Sequence, residues 1–133
     1  MKFSVKGMIQ IMQINFEGNG PIYQELASGI EDSILSGAFK EETQIPSTTE
    51  ISINFKINPA TALKGINILV GEGIIYKKRG LGMFVCNGAV KKIQEKRKQE
   101  FYNAYINALL CEAKKLSISK DEILDMIERG FNK

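Results

Sequence analysis

Residues 45–85 read IPSTTEISINFKINPATALKGINILVGEGIIYKKRGLGMFV, and the reading of this stretch decides the fold. It opens on Ser47-Thr48-Thr49-Glu50, a capping box in which a serine hydroxyl and a glutamate carboxylate can satisfy each other's orphan backbone N–H groups. The short helix that starts there ends near Asn54, and FKIN at residues 55–58 turns the chain into a second helix. Asn58 is a good N-cap, and Pro59 falls at the first helical position, where a missing N–H costs nothing. Ala62, Ile66 and Leu69, together with Leu63 and Val70, predict the face packed on a core; Ala60, Thr61, Lys64 and Asn67 predict the solvated face. Gly71 and Gly73 stop this helix. Ile74-Ile75-Tyr76 then begins a strand and Met83-Phe84-Val85 returns, so Lys77-Lys78-Arg79 and Gly80-Leu81-Gly82 predict a two-stranded hairpin tipped with three cations. Two short helices at a tight break followed by such a hairpin are the grammar of a helix-turn-helix carrying a β-wing.

Upstream, Pro21 sits at a helix start, and Ile22, Leu26, Ile30 and Ile34 recur every four residues until Ser36-Gly37. That helix is expected behind the helix-turn-helix, with Tyr23 as a core or hinge aromatic and residues 40–44 as a polar loop. Ile9, Ile11, Met12 and Ile14 predict a short strand entering the domain, and residues 1–8 carry no interpretable pattern. Charge is unevenly spread under a net charge of +3: residues 1–54 hold three cations and seven anions, whereas residues 55–83 hold five cations against Glu72 alone. The positive excess lies where the helix-turn-helix reading would place nucleic acid.

Downstream, Asn87-Gly88 is a natural linker, giving a winged domain at residues 1–87 and a helical region at 88–133. One long helix is expected from Ala89 to about Leu116, basic at Lys91, Lys92, Lys96, Arg97 and Lys98. Its apolar stripe is Phe101, Ala104, Tyr105, Ala108 and Cys111. A second helix is capped by Ser119 with Glu122, stapled by Ile118 and Ile123, and closed by Gly130, with Ile123, Leu124 and Ile127 as its apolar side. Two apolar helix faces after a complete small domain are most simply buried on their copies in a homodimer, with Phe101, Ala104, Tyr105, Ala108, Cys111, Ile123 and Ile127 at the interface. The fold class expected is mainly α with a small β-wing, a winged helix-turn-helix followed by two C-terminal dimerisation helices.

Four stretches carry a resemblance: PIYQELASGIEDSILSGAF at residues 21–39, QIPSTTEIS at 44–52, INPATALKGINILVGEGIIY at 57–76 and KKRGLGMFV at 77–85. In these the chain resembles the GntR family of bacterial transcription regulators and, by its short tail, the YtrA-type subfamily. The resemblance implies a winged helix-turn-helix that binds double-stranded operator DNA as a dimer, most often as a repressor, frequently of operons for membrane transporters. Many family members carry arginines that face DNA where this chain has Thr49 and Leu63; here the cations are Lys64 and those of the wing. The DNA-facing set expected is Ser47, Thr48, Thr49, Asn58, Pro59, Ala60, Thr61, Lys64, Lys77, Lys78, Arg79, Gly80 and Gly82. Lys64 and the wing cations would neutralise phosphates, Asn58, Ala60 and Thr61 would approach base edges, and the glycines would let the wing tip approach the minor groove.

Other classes find little support. There is no His, and Cys86 and Cys111 are the only thiols, so neither a zinc site nor a Cys/His nucleophile is available and no metal or cofactor is expected. No phosphate-cradling or nucleophile-elbow motif occurs, which argues against an enzyme. Two unclustered cysteines, no secretory core and no run of 18 apolar residues predict a cytoplasmic protein with no membrane partner. A small-molecule effector would have to sit between the tail helices or at the dimer interface. The competing class is a winged-helix protein-interaction module without sequence-specific DNA binding, because a fold does not dictate its function.

Overall fold

The computed structural model describes residues 12, 14, 16, 18 and 20 and all of residues 21–133. It forms two compact units, Met1–Gln94 and Glu95–Lys133. The architecture is helical with a small antiparallel sheet, as the sequence predicts.

In the first unit, helix α1 spans Ile22–Leu35, with Pro21 as its N-cap and Ser36 as its C-cap. Leu26, Ile30 and Ile34 of its four-residue repeat are buried, while Ile22 stays exposed. Helix α2, Thr48–Phe55, is closed at its start by the complete capping box: the Glu50 amide donates to Ser47 Oγ at 3.1 Å and the Ser47 amide to Glu50 Oε1 at 3.2 Å. The break to helix α3, Pro59–Gly71, runs through Lys56 at φ 55°, a left-handed position that costs a non-glycine residue about 1–2 kcal/mol. Buried Ser52 offsets it. Its carbonyl accepts from the Ile57 amide at 3.1 Å, and its hydroxyl donates to the Ile57 carbonyl at 2.7 Å.

Helix α3 packs on α1 and α2, and its crossing with α1 is made at Gly65. A β-carbon there would lie 2.8 Å from the Tyr23 carbonyl oxygen and 3.2 Å from the Leu26 side chain. The buried stripe is consequently Ala62, Gly65, Ile66 and Leu69, the i, i+3, i+4, i+7 pattern of one helix face. This corrects the expectation for Leu63 and Val70, which are 48% and 39% exposed. A hydropathy pattern gives glycine no weight, so it turns the helix toward its leucine and valine; the close backbone approach turns it back.

The wing is three-stranded, in the order β1-β3-β2, with β1 at Gln44–Ile45, β2 at Ile75–Lys78 and β3 at Gly82–Val85. β1 is a two-residue edge, too short for a period-2 pattern, and its Gln44 falls in the expected polar loop. Cα partners are Ile75 with Val85, Tyr76 with Phe84, Lys77 with Met83, and Lys78 with Gly82. Lys77 and Lys78 therefore belong to the strand, and the tip is Arg79-Gly80-Leu81 rather than a run of three cations. Met12 is buried in helical backbone, not in the expected strand; Ile9 and Ile11 lie outside the described residues, and Ile14 is irregular and packs against the core.

Helix α4 spans Ala89–Phe101. Ala89 and Ile93 are fully buried in the core of the first unit, so that unit continues to Gln94 rather than stopping at Asn87. Glu41 caps the helix from 47 residues away, accepting from the Gly88 amide at 2.7 Å and the Val90 amide at 3.2 Å. Lys92 Nζ also donates to the Gly73 carbonyl at 3.3 Å.

In the second unit the helix passes through a π-turn at Tyr102–Ile106 into α5, Asn107–Lys115. Helix α6, Lys120–Phe131, is N-capped by Ser119, whose Oγ accepts from the Glu122 amide at 3.2 Å. Gly130 does not close α6: it lacks the positive φ of a left-handed cap, and the helix continues to Phe131.

Gly65→Ala is expected to lower stability by about 1–3 kcal/mol, because its β-carbon meets backbone rather than a flexible side chain. Denaturant titration of the full chain against wild type measures this; an unchanged midpoint would show that α1 and α3 are not in register through this contact.

Candidate nucleic-acid interface

On α3 the exposed residues Ala60, Leu63, Lys64 and Asn67 repeat the i, i+3, i+4, i+7 spacing opposite the buried stripe. Thr61, expected on the open face, is half-buried at its edge. In the first turn Pro59 has no N–H, and the Ala60 amide donates to Asn58 Oδ1 at 2.8 Å. The Ala62 amide donates to the Asn58 carbonyl at 3.0 Å, which leaves Thr61 with the open amide of that turn. Asn58, Pro59 and Ala60 are exposed around it. Lys64 Nζ lies 4.1 Å from the centroid of the Tyr23 ring, a contact worth about 0.5–1 kcal/mol at an exposed site. Tyr23 thus serves both as backbone support for Gly65 and as a rest for the lysine ammonium.

At the start of α2 Thr49 is exposed and Ser47 and Thr48 are half-buried, with Ser47 engaged in the capping box. On the wing Lys77, Lys78 and Arg79 are all exposed. Lys78 Nζ sits 5.5 Å from the Phe84 ring, which stacks on Tyr76 with centroids 5.9 Å apart. The tip turns on Gly80 at φ 79°, which has open space around it, and on Gly82 at φ 119°. Sequence reasoning missed Gln44. Its Nε2 donates to the Leu81 carbonyl at 2.7 Å, and a β-carbon on Gly82 would fall 2.7 Å from that same nitrogen. The wing tip is thereby tied to the short edge strand β1 by one amide, a side-chain contact that no local motif signals.

The expected interface residues of the tail lie in the second unit. Phe101, Ala104, Tyr105, Ala108, Cys111 and Ile127 are exposed and Ile123 is half-buried. Phe101 and Tyr105 pack on each other with ring centroids 5.2 Å apart. The π-turn accommodates one extra residue, so beyond it the stripe begun by Phe101 and Tyr105 continues through Leu109 and Ala113, flanked by Tyr102, Ile106 and Leu110. A uniform 3.6-residue repeat drawn from the sequence misses that displacement.

Among the described residues no helix is long and apolar enough to cross a membrane, and no group of three His, Cys, Asp or Glu residues could hold a metal ion. The profile of the bacterial regulatory proteins of the gntR family matches residues 22–85, which are α1, the helix-turn-helix and the wing. A crystal structure of a GntR-family protein from Bacteroides thetaiotaomicron superposes with a TM-score of 0.72 at 33% identity, covering 84% of this chain and 96% of that one. The chain belongs to the GntR family.

Over most of its length this GntR chain is also similar to two proteins of Bacillus subtilis. It is 25% identical to the HTH-type transcriptional repressor YtrA over 118 residues, 89% of this chain and 90% of that repressor. It is 26% identical to the HTH-type transcriptional regulator YhcF over 117 residues, 88% of this chain and 95% of YhcF. The chain is a YtrA-like GntR regulator with a DNA-binding helix-turn-helix, and it is not an enzyme.

Gln44→Ala should leave the helical core intact and loosen the wing tip. Amide hydrogen exchange at residues 78–82 is expected to accelerate while that of α1 and α3 stays unchanged; equal protection in the variant would mean the Leu81 carbonyl bond does not hold the tip.

Proposed function

We propose that this GntR regulator is a homodimeric repressor that binds a palindromic operator through α3 and the wing. The observation that carries the reading is the juxtaposition of two features in one compact unit. The first is a capped helix whose first turn offers small side chains and an open amide; the second is a wing with three exposed cations and a glycine-hinged tip. Small side chains let the helix backbone approach, the Thr61 amide suits a phosphate oxygen at the positive end of the helix dipole, and Asn58, Ala60 and Thr61 reach base edges. Lys64 leaves the Tyr23 ring at little cost for a phosphate or guanine edge, since a charge-assisted bond outweighs an exposed cation–π contact. Lys77, Lys78 and Arg79 neutralise backbone charge beside the wing, and Ser47, Thr48 and Thr49 add polar contacts at the start of α2. Pro59 fixes that first turn, and Gly80 and Gly82 allow the tip to enter the minor groove.

Dimerisation is assigned to the second unit, where Phe101, Tyr105, Leu109, Leu110, Ile127 and Phe131 are exposed on 39 residues, 95–133. A segment that short rarely sustains a core alone, and a second copy is the simplest cover. Ala104, Ala108, Cys111 and Ile123 complete the proposed contact. Two copies impose two-fold symmetry on the DNA, hence a palindrome. Control of a transporter operon is proposed from the family resemblance alone.

Two measurements test this. The log of the binding constant for the selected operator should fall with the log of salt concentration by roughly 0.9 per phosphate neutralised. Arg79→Ala should lower that slope by about one unit per subunit and weaken specific and random DNA alike, whereas Lys64→Ala should cost roughly 1–3 kcal/mol preferentially on the operator. If both variants bind operator and random DNA like wild type, the protein-interaction reading takes over. Mass measurement in solution should give a dimer for the full chain and a monomer for Leu109→Glu; a dimeric variant would move the interface off this face.

A further inference from the structure

We propose that Leu63 is a base-reading residue, packing on the 5-methyl group of one thymine in each operator half-site. The proposal rests on the DNA-binding reading above and deepens it. Ala62, Ile66 and Leu69 of the packed face are at most 1% exposed, whereas Leu63 is 48% exposed. Leu63 shares the outward face with Ala60, Lys64 and Asn67, so it belongs to the proposed contact surface. Ala60 and Asn67 are no longer than leucine, which leaves its methyl groups uncovered, and the longer Lys64 supplies an adjacent anchor.

The chemistry of the groove then selects the partner. Leucine can neither donate nor accept a hydrogen bond. In the major groove, guanine offers two acceptors, cytosine a donor and adenine one of each; thymine alone adds a methyl group. Set against guanine, cytosine or adenine, the leucine would strip water from polar atoms and leave them unpaired. Set against thymine, it buries apolar surface on both sides. An arginine at the same position would read guanine instead.

The fold does not depend on this side chain, which makes the test clean. Leu63→Ala should keep wild-type thermal stability, being an exposed helical position outside the core. The experiment takes the full-length chain, selects its operator from a random duplex pool, and replaces thymines one at a time by deoxyuridine, which lacks only the methyl. For wild type, one thymine per half-site should lose roughly four-fold in affinity on losing its methyl, the worth of one buried methyl group. Leu63→Ala should bind the thymine operator more weakly by a similar or larger factor and be indifferent to deoxyuridine at that position. Leu63→Arg should select guanine there. An enriched operator with no thymine whose methyl dependence vanishes in Leu63→Ala overturns the role of Leu63 alone. A wild-type chain that enriches no sequence overturns the DNA-binding reading with it, and random-duplex binding by the same chain tells those two failures apart.

Discussion

The contact on which the first unit depends is the approach of Gly65 to the Tyr23 carbonyl. It brings α3 within a distance of α1 that no β-carbon tolerates. Because the interior is close-packed, fixing that crossing fixes the rotation of α3 about its own axis. Ala62, Ile66 and Leu69 then turn inward together, and Ala60, Leu63, Lys64 and Asn67 turn outward together. The same contact sets the Tyr23 ring beneath the Lys64 ammonium. One glycine thus decides which side chains are available to a nucleic acid and which are spent on the core.

A second constraint acts through residues 41–45, the first four of which read as a loop. Glu41 caps α4, the Glu42 amide donates to the Val85 carbonyl at 2.8 Å, and the Val85 amide donates to the Thr43 carbonyl at 3.0 Å. Gln44 and Ile45 pair with β3, and the Gln44 side chain holds the wing tip. Wing, tail-helix start and core are therefore tied by one strip of backbone. That strip also explains why the compact unit extends to Gln94: with its first turn capped by Glu41, α4 begins inside the winged unit and buries Ala89 and Ile93 there.

The second unit shows the opposite economy. Ala113 is its buried apolar residue among those described, while aromatic and aliphatic side chains stand exposed along the π-turn, α5 and α6. Surface ion pairs such as Arg129 with Asp125, at 2.9 Å and well exposed, contribute little against that imbalance. The π-turn keeps Phe101, Tyr105 and Leu109 in one stripe, at the cost of the regular repeat that would have made the stripe legible.

By itself the sequence determined the helices from Pro21 onward, the N-caps of α2, α3 and α6, the hairpin and the family. The capping box at Ser47 and Glu50, the Asn58-Pro59 start and the Gly80 turn are local, with cause and effect within four residues. The candidate surface was legible to the same extent, since lysines, arginines and small polar residues at helix starts announce themselves. Tertiary structure alone decided the rest. The outward turn of Leu63 and Val70, the third strand at Gln44, the capping of α4 by Glu41 and the displaced tail stripe each depend on a partner distant in sequence or on a departure from ideal helical repeat. Hydropathy measures how much each side chain gains from burial; which of them are buried is settled by how closely two backbones can approach, and at Gly65 that is set by a side chain that is not there.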